Sequence, residues 1–383
     1  MNSGFDRIEV RHADAPFASD LAIQQLCLQG ASTPFQTMEW LRGWENRVGE
    51  SSTSKPIDIV GYKNGIPIIL LPLTLGIHWG YKILSWRSEE LSDYCCPLIA
   101  SELRGQIRQI DIQKLIIAAN NQYSIAHVVK LQKLPKNFVV SGDFYAGSSP
   151  IRYHVDSHST IISGSWDEYY NAKRGSKTRR RIKDKFKALS KLAPVTLRFV
   201  DDKDEAKELV AQCIAMKAMQ LKRRNNWNPF SSPGSKQHII DCFSNGVGNN
   251  CWVAALYLGP NPIAISFGFK SSESWLLYQL AMQEGDHAAY SPGTHLLIFI
   301  MRHCWESGAR MFDFSLGNEP YKDDWCEVHD SLVTDIFSLS WRGMPISAIL
   351  RLAAYVRLRL SHYPNLMKHF RVLKNKTKLA GWS

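Results

Sequence analysis

Between Gly317 and Trp325 the chain reads GNEPYKDDW, which gathers a carboxylate (Glu319), a phenol (Tyr321), an ammonium (Lys322) and an indole (Trp325) into nine positions. Such a mixture can move protons and stabilise developing charge, and loops held by a rigid scaffold are where groups of this kind collect. An exposed Glu319–Lys322 ion pair with no chemical role, contributing under about 1 kcal/mol, is the plain alternative. Just upstream, Asp313 stands between Phe312 and Phe314 and points to one sheet face, toward a substrate or a neighbouring loop.

The elements that must position this loop are legible on either side. Trp275 to Met282 is an apolar, aromatic-rich run of strand length, and Gly285-Asp286 breaks it. Ser291 is a good helix N-cap, Pro292 fits the first helical position, and LLIFIMRHCW is apolar on nearly every face, as in a helix buried between layers. Gly308 stops it, and Arg310 to Ser315 resumes as a strand. A helix that opens this way, with Gly293 removing side-chain bulk, presents backbone N–H groups and a positive dipole end. Pyrophosphate would fit there; a well-capped core helix without a ligand is the other reading.

The order S-P-G, F-D-F and G-N-E-P-Y-K-D-D-W resembles the acyltransferase domain of the CelD/BcsL group, a branch of the GNAT acyl-CoA N-acyltransferase superfamily. An Arg-rich helical region from Trp166 and the segment T-P-F-Q-T-x-E-W extend the resemblance over roughly Thr33 to Trp325. It implies an α/β (α+β) fold of tandem GNAT-like domains, each a mixed, largely antiparallel sheet flanked by helices, in a FemAB-like arrangement. It implies acyl-CoA as co-substrate and no metal, with donor contacts at Tyr278, Ser291, Gly293 and Thr294. The acyl arm would enter between Trp275–Met282 and Arg310–Ser315. Thioester aminolysis needs a base, an oxyanion stabiliser and an acid for the thiolate, roles for which Glu319, Lys322 and Tyr321 respectively are suited. Asp93, Tyr94, Arg180, Asp313 and Trp325 are the substrate-side expectations. The acceptor is an amine or hydroxyl, sugar-linked if the cellulose or exopolysaccharide context of the group applies. The usual Q/R-x-x-G-x-G/A phosphate loop is absent, since Tyr290 to His295 supplies one glycine. FemAB-type transferases, which share a tandem GNAT fold and use aminoacyl-tRNA, are therefore a second reading. A non-catalytic GNAT-fold scaffold of a polysaccharide synthase is a third.

Length and composition bound these readings. At 383 residues there is room for two domains with sizeable cores, and 45% hydrophobic with 21% charged residues is the balance of a folded, soluble chain. The first residues lack the apolar centre of a secretory signal. The eight cysteines show no C-x-x-C spacing, so neither a zinc site nor a disulfide framework is indicated, and a cytoplasmic setting is expected. The formal charge of +11 is unevenly placed. Lys173 to Arg198 holds eleven Lys/Arg against Asp184 alone, and Trp341 to Ser383 holds nine with no acid, leaving the remainder net negative. That pattern indicates two local anion-facing features rather than a chain coated for nucleic acid.

In chain order, Thr37 caps a helix carrying Trp40, Trp44 and Val48 on one face, and Ile57–Tyr62, Asn64-Gly65 and Ile66–Leu75 form a hairpin. Pro67 and Pro72 put its second strand at an edge or a bulge. Ser85 to Tyr94 reads as a polar loop, solvated or facing a cleft, and Tyr145 to Ser165 as the connection between halves. Ser165 to Glu168 has capping-box spacing. A helix from Ser176 buries Ile182, Phe186 and Leu189, with Arg179, Arg180, Arg181, Lys183 and Lys187 on its other faces, either solvated or against an anion. Three strands between Trp252 and Met282 form a meander that repeats the earlier helix-then-hairpin order. The expected boundaries are an amino-terminal domain over 1–150, a second over 165–340 and a basic amphipathic tail over 341–383. That tail would lie on an anionic membrane surface through Ile349, Leu352 and Val356, or pack across the domain interface.

Overall fold

The computed structural model describes residues 5–12, 21–30, 33–49, 54–136, 149–317, 319–361 and 363. Two compact units divide the chain, the first comprising Met1–Asp156 with Asp330–Ser383 and the second Ser157–His329.

The first unit contains β1 (Arg7–His12), α1 (Leu21–Gly30), α2 (Met38–Arg47), β2 (Lys55–Lys63), β3 (Ile66–His78), β4 (Tyr81–Trp86), β5 (Leu98–Ile99), α3 (Gln109–Tyr123), β6 (Val128–Pro135) and β7 (Ile151–Arg152). Thr37 caps α2 through its side chain, and Trp40 and Trp44 are buried beneath it. Asn64 and Gly65 take φ of 52° and 74°, the paired positive values that a two-residue hairpin turn requires.

The second unit runs through β8 (Ser157–Ile161), α4 (Trp166–Lys173), α5 (Ser176–Leu189), β9 (Val195–Val200), α6 (Lys203–Arg223), α7 (Pro233–Gly246), β10 (Cys251–Leu258), β11 (Asn261–Lys270), β12 (Ser274–Met282), α8 (Pro292–Glu306), β13 (Met311–Leu316), α9 (Pro320–Asp323) and β14 (Val328–Asp330). The chain then returns to the first unit with β15 (Leu332–Ser338) and α10 (Met344–Ser361).

The first sheet has the order β1-β2-β3-β4-β6-β15-β7 with β5 on β3, and the second β14-β8-β13-β12-β11-β10-β9. Each contains a parallel pair with antiparallel pairs around it, β4 with β6 and β12 with β13. Both parallel pairs follow a meander and a helical crossover, α3 in one unit and α8 in the other. Parallel neighbours need such a crossover, so the two units repeat one construction. The fold class is the expected one: a mixed α/β chain of tandem GNAT-like units, each a largely antiparallel sheet flanked by helices.

One of the two alternatives for β3 holds, and three other local expectations differ from what is observed. β3 is not an edge strand, for it pairs with both β2 and β4. The bulge, the other expectation for this strand, is present: Gly61↔Ile69 and Tyr62↔Pro67 leave Ile68 as an extra residue of β3 beside Pro67. The segment Ser85–Tyr94 begins inside β4, and its continuation is largely buried, with Arg87 paired to Glu45 and to Asp58 at 2.5 Å. The Tyr145–Ser165 connection contains β7 and β8, one in each sheet. The final strand β15 lies between β6 and β7 of the first sheet rather than closing a domain over 165–340, and α10 packs on β15, β6 and β7. Of the expected tail over 341–383, residue 362 and residues 364–383 lie outside the described residues.

In the second unit α8 buries Leu296, Leu297, Ile300, Met301 and Cys304 against β10, β11 and β12. Each such side chain, moved fully from water, stabilises the fold by roughly 1.5–3 kcal/mol. That burial holds the amino end of α8 in place relative to the sheet.

Candidate active site

β12 and β13 are in register only over Ser274↔Met311, Trp275↔Phe312 and Leu276↔Asp313. Beyond those pairs β12 continues to Met282 and turns its ladder toward β11 alone, so the two parallel strands part toward their carboxyl ends. A cavity of about 330 Å³ opens in the same unit. Leu280 and Met282 of β12 form one wall, and Ser291, Gly293, Thr294, His295 and Leu297 at the amino end of α8 form the second. Arg174 with Thr178, Arg181, Ile182 and Lys185 of α5 forms the third, and Tyr321, Asp324 and Trp325 complete it.

The helix end opens on the cavity with its N–H groups and nearby cations. Ser291 occupies the N-cap position with φ of 59°, and its side chain makes no capping bond. Its hydroxyl instead accepts a hydrogen bond from Lys185 Nζ at 2.9 Å, which corrects the expectation of an ordinary serine cap. Thr294 and His295 both donate to the Ser291 carbonyl, at 3.0 and 3.4 Å, and Pro292 has no N–H. Helix geometry leaves the Gly293 N–H without an intrahelical acceptor. A Cβ on Gly293 would come within 3.2 Å of Leu280 Cδ2, so glycine also sets how closely α8 approaches β12. Positive dipole and three nearby cations point the same way.

His295 Nε2 donates to the Tyr290 carbonyl at 2.9 Å, and burial first, then the neighbouring Lys185, lower its pKa, which keeps the imidazole neutral near pH 7. Arg174 pairs with Asp324 at 2.8 Å and lies 4.0 Å over the Trp325 ring. Trp325 is in turn stacked with Tyr170 and Trp166, and its carbonyl accepts from the Tyr169 hydroxyl at 2.5 Å. The capping box at Ser165 sets this aromatic group by starting α4.

The GNEPYKDDW loop divides into two parts. Tyr321 lines the cavity, and burial pushes its phenol well above the usual range, so it stays protonated at neutral pH. Lys322 is buried, with Nζ 2.7 Å from the Leu316 carbonyl, 3.5 Å from that of Ser315 and 3.3 Å from Glu319 Oε2. Two of these contacts are hydrogen bonds and the third is an ion pair, and together they fasten the loop to the end of β13. Burial raises the Glu319 pKa, but Lys322 and then Lys217 oppose it, and the net shift is downward. Glu319 is thus a carboxylate and a weak base. Gly317, at φ of 149°, permits this fold-back, because a Cβ there would collide with the Glu319 carboxylate and Lys322 Nζ. Neither Glu319 nor Lys322 lines the cavity.

Other expected residues are placed as follows. Tyr278 is buried among Phe243, Phe267 and Phe269, away from the cavity lining. Asp313 Oδ1 accepts from the Ser315 N–H at 2.6 Å, across a β13 irregularity where Ser315 has φ of 59°; its service is to the backbone. Arg180 is exposed and lines a second, more open cavity beside the first, with Lys177 and Tyr290. Asp93 and Tyr94 belong to the first unit, where Tyr94 packs edge-on against Phe35. Sequence reasoning missed Arg174, Thr178, Lys185 and His295. The spacing 178, 181, 185 follows one face of α5, a signal hidden by the density of cations around it, and Arg174 joins them from the extended turn between α4 and α5.

Among the described residues, His158, Asp323 and His329 bring three potential metal-ligating atoms within 4.8 Å of one another. His158 Nδ1 and His329 Nδ1 are 3.0 Å apart, one donating and the other accepting, and so satisfy each other directly.

Residues 176–323 match the Acetyltransferase (GNAT) domain family. They enclose the helix end, the splayed strands and the Tyr321 loop, so the similarity to that family falls on the cavity of the second unit. No curated protein matches the chain in sequence. Among solved structures, FemX is similar over 89% of this chain and 99% of its own, with 11% identity and a TM-score of 0.53. A conserved protein of unknown function from Bacteroides thetaiotaomicron aligns over 87% of this chain and 100% of its own, with 9% identity and a TM-score of 0.50. A tandem GNAT protein from the clavulanic acid biosynthesis pathway aligns over 87% and 99%, with 14% identity and a TM-score of 0.47. At these identities the likeness is one of fold.

Proposed function

We propose that this protein transfers an acyl group from acyl-CoA to an amine or hydroxyl acceptor. The observation that carries the reading is the cavity at the amino end of α8, walled by Arg174, Arg181 and Lys185 and open toward the parting of β12 and β13. The donor's pyrophosphate rests on the Gly293 N–H and the α5 cations, and its thioester reaches toward Tyr321. As the acceptor attacks the carbonyl carbon, the carbon–sulfur bond breaks and the Tyr321 hydroxyl reprotonates the thiolate. The acceptor's proton passes to solvent or to the Glu319 carboxylate through water. Held geometry and fixed positive charge supply most of the rate enhancement.

The CelD/BcsL-like motifs support a finer reading, with a sugar-linked acceptor in cellulose, exopolysaccharide or envelope synthesis. A second reading, a FemAB-like transferase using aminoacyl-tRNA, is favoured by the exposed cations beside the second cavity, including Arg180 and Lys177, which suit a phosphate backbone. An acyl-CoA panel and a charged tRNA, each offered to the protein and followed by mass spectrometry of retained ligand and released CoA, separate the readings. Retained acyl-CoA with CoA release on adding amines supports the first; retention of charged tRNA alone supports the second; neither supports a scaffold.

A further inference from the structure

We propose that α10 docks the first unit on an anionic bilayer surface. The inner face of this helix is committed: Ile346, Leu350 and Ala354 pack against Ile83, Val128 and Ile336, and Arg351 donates to the Ile336 carbonyl at 3.0 Å. At 3.6 residues per turn, Ile349, Leu352 and Val356 fall on the opposite side in one row. They are 48%, 65% and 42% exposed, and Trp341, just before the helix, is 76% exposed. Single apolar residues on a surface need no explanation, but a row with a tryptophan at its head marks an interaction site.

The charge around the row identifies what covers it. Arg359 is exposed on one flank with Tyr355 beside it, and Arg342 is exposed at the head of the row, 5.5 Å over the Trp341 ring, whereas Arg357 turns to the inner side near Lys130 and Tyr153. From Trp341 to Ser383 the sequence has nine Lys/Arg and no acid. An apolar row edged by arginines suits the headgroup region of a membrane, where the row enters the acyl boundary, the guanidinium groups meet phosphates and the aromatics sit between. A nucleic acid would pair with the arginines and leave the row in water. A second copy of the helix would bring like charges together. Among the described residues no helix is long and apolar enough to cross a membrane, so this one would lie on the surface.

Flotation of the full chain with phosphatidylcholine vesicles, with and without phosphatidylglycerol, tests the proposal against the double variant Ile349→Glu, Leu352→Glu. That variant leaves the inner face and every cation in place. The native chain should float with phosphatidylglycerol vesicles only, less so in high salt, and the variant should lose about tenfold or more in partitioning at an unchanged thermal transition. Equal flotation of both proteins, no flotation of the native chain, or a dimer in light scattering that the variant dissociates without any vesicle binding would each overturn it. α10 contributes nothing to the cavity at α8, so failure here leaves the acyl-transfer reading standing.

Discussion

The ammonium of Lys322 is surrounded by two carbonyls and a carboxylate, and removing it would strand those acceptors in a buried place. Lys322→Ala should therefore destabilise the protein by about 3–5 kcal/mol, the usual cost of breaking a buried, bonded charge, read as a lower urea midpoint. A variant with undiminished stability and no activity would instead put Lys322 in the chemistry. Tyr321 is the opposite case. Tyr321→Phe keeps the ring and loses the proton, so the turnover rate should fall about a hundredfold or more while donor affinity is kept. His238, buried on α7, reports on stability alone: burial lowers its pKa from 6.5 to about 4. The folded state then binds this proton less tightly than the unfolded one. Its contribution is fully present above pH 6.5 and is lost as pH falls toward 4, by an amount on the order of 3 kcal/mol. Melting temperatures measured across that window should fall less steeply for His238→Asn than for the native chain.

At the level of elements, α5 and α8 act as a pair through the Lys185–Ser291 hydrogen bond and the shared cavity wall. Lys185→Met should weaken donor binding by about tenfold, and the difference from the native protein should shrink as salt is raised; titration calorimetry at two ionic strengths reads both. The elements themselves were largely legible in the sequence, because their signals are local. Pro292 and Gly308 bracket α8, Ser165 and Glu168 start α4, and Asn64-Gly65 turns the first hairpin. What escaped is long-range. Nothing near Leu332 announces that β15 slots between β6 and β7, and that Pro67 sits in a bulge inside the sheet rather than at its edge is decided by the strands on either side of β3. The site was legible to the same degree: Gly293, Thr294, Tyr321 and Trp325 line the cavity, whereas Glu319 and Lys322 turn beneath their own loop. That fold-back depends on Gly317 at a positive φ and on two carbonyls of β13, which residue types alone do not disclose.

For the molecule as a whole, the chain builds most of one unit, inserts the second and returns to finish the first, and only the second unit carries the family match. The two units repeat one topology, yet their parallel pairs are furnished differently. In the second unit the strands part beside a helix end with cations and Tyr321 in attendance. The first unit's corresponding crossover α3 starts at Gln109 with the Asp111 carboxylate accepting from the Arg108 N–H at 3.0 Å, which places a carboxylate where a donor phosphate would go. Under the proposed function, donor binding therefore falls to the second unit. The most direct test is the thermal transition of the full chain with and without acetyl-CoA or a longer acyl-CoA. A ligand at about a hundred times its dissociation constant stabilises the folded state by about 2.7 kcal/mol. The account predicts a rise of several degrees that is lost when Arg181 and Lys185 are both replaced by alanine. A transition indifferent to every acyl-CoA, or a rise that survives in the double variant, would contradict it.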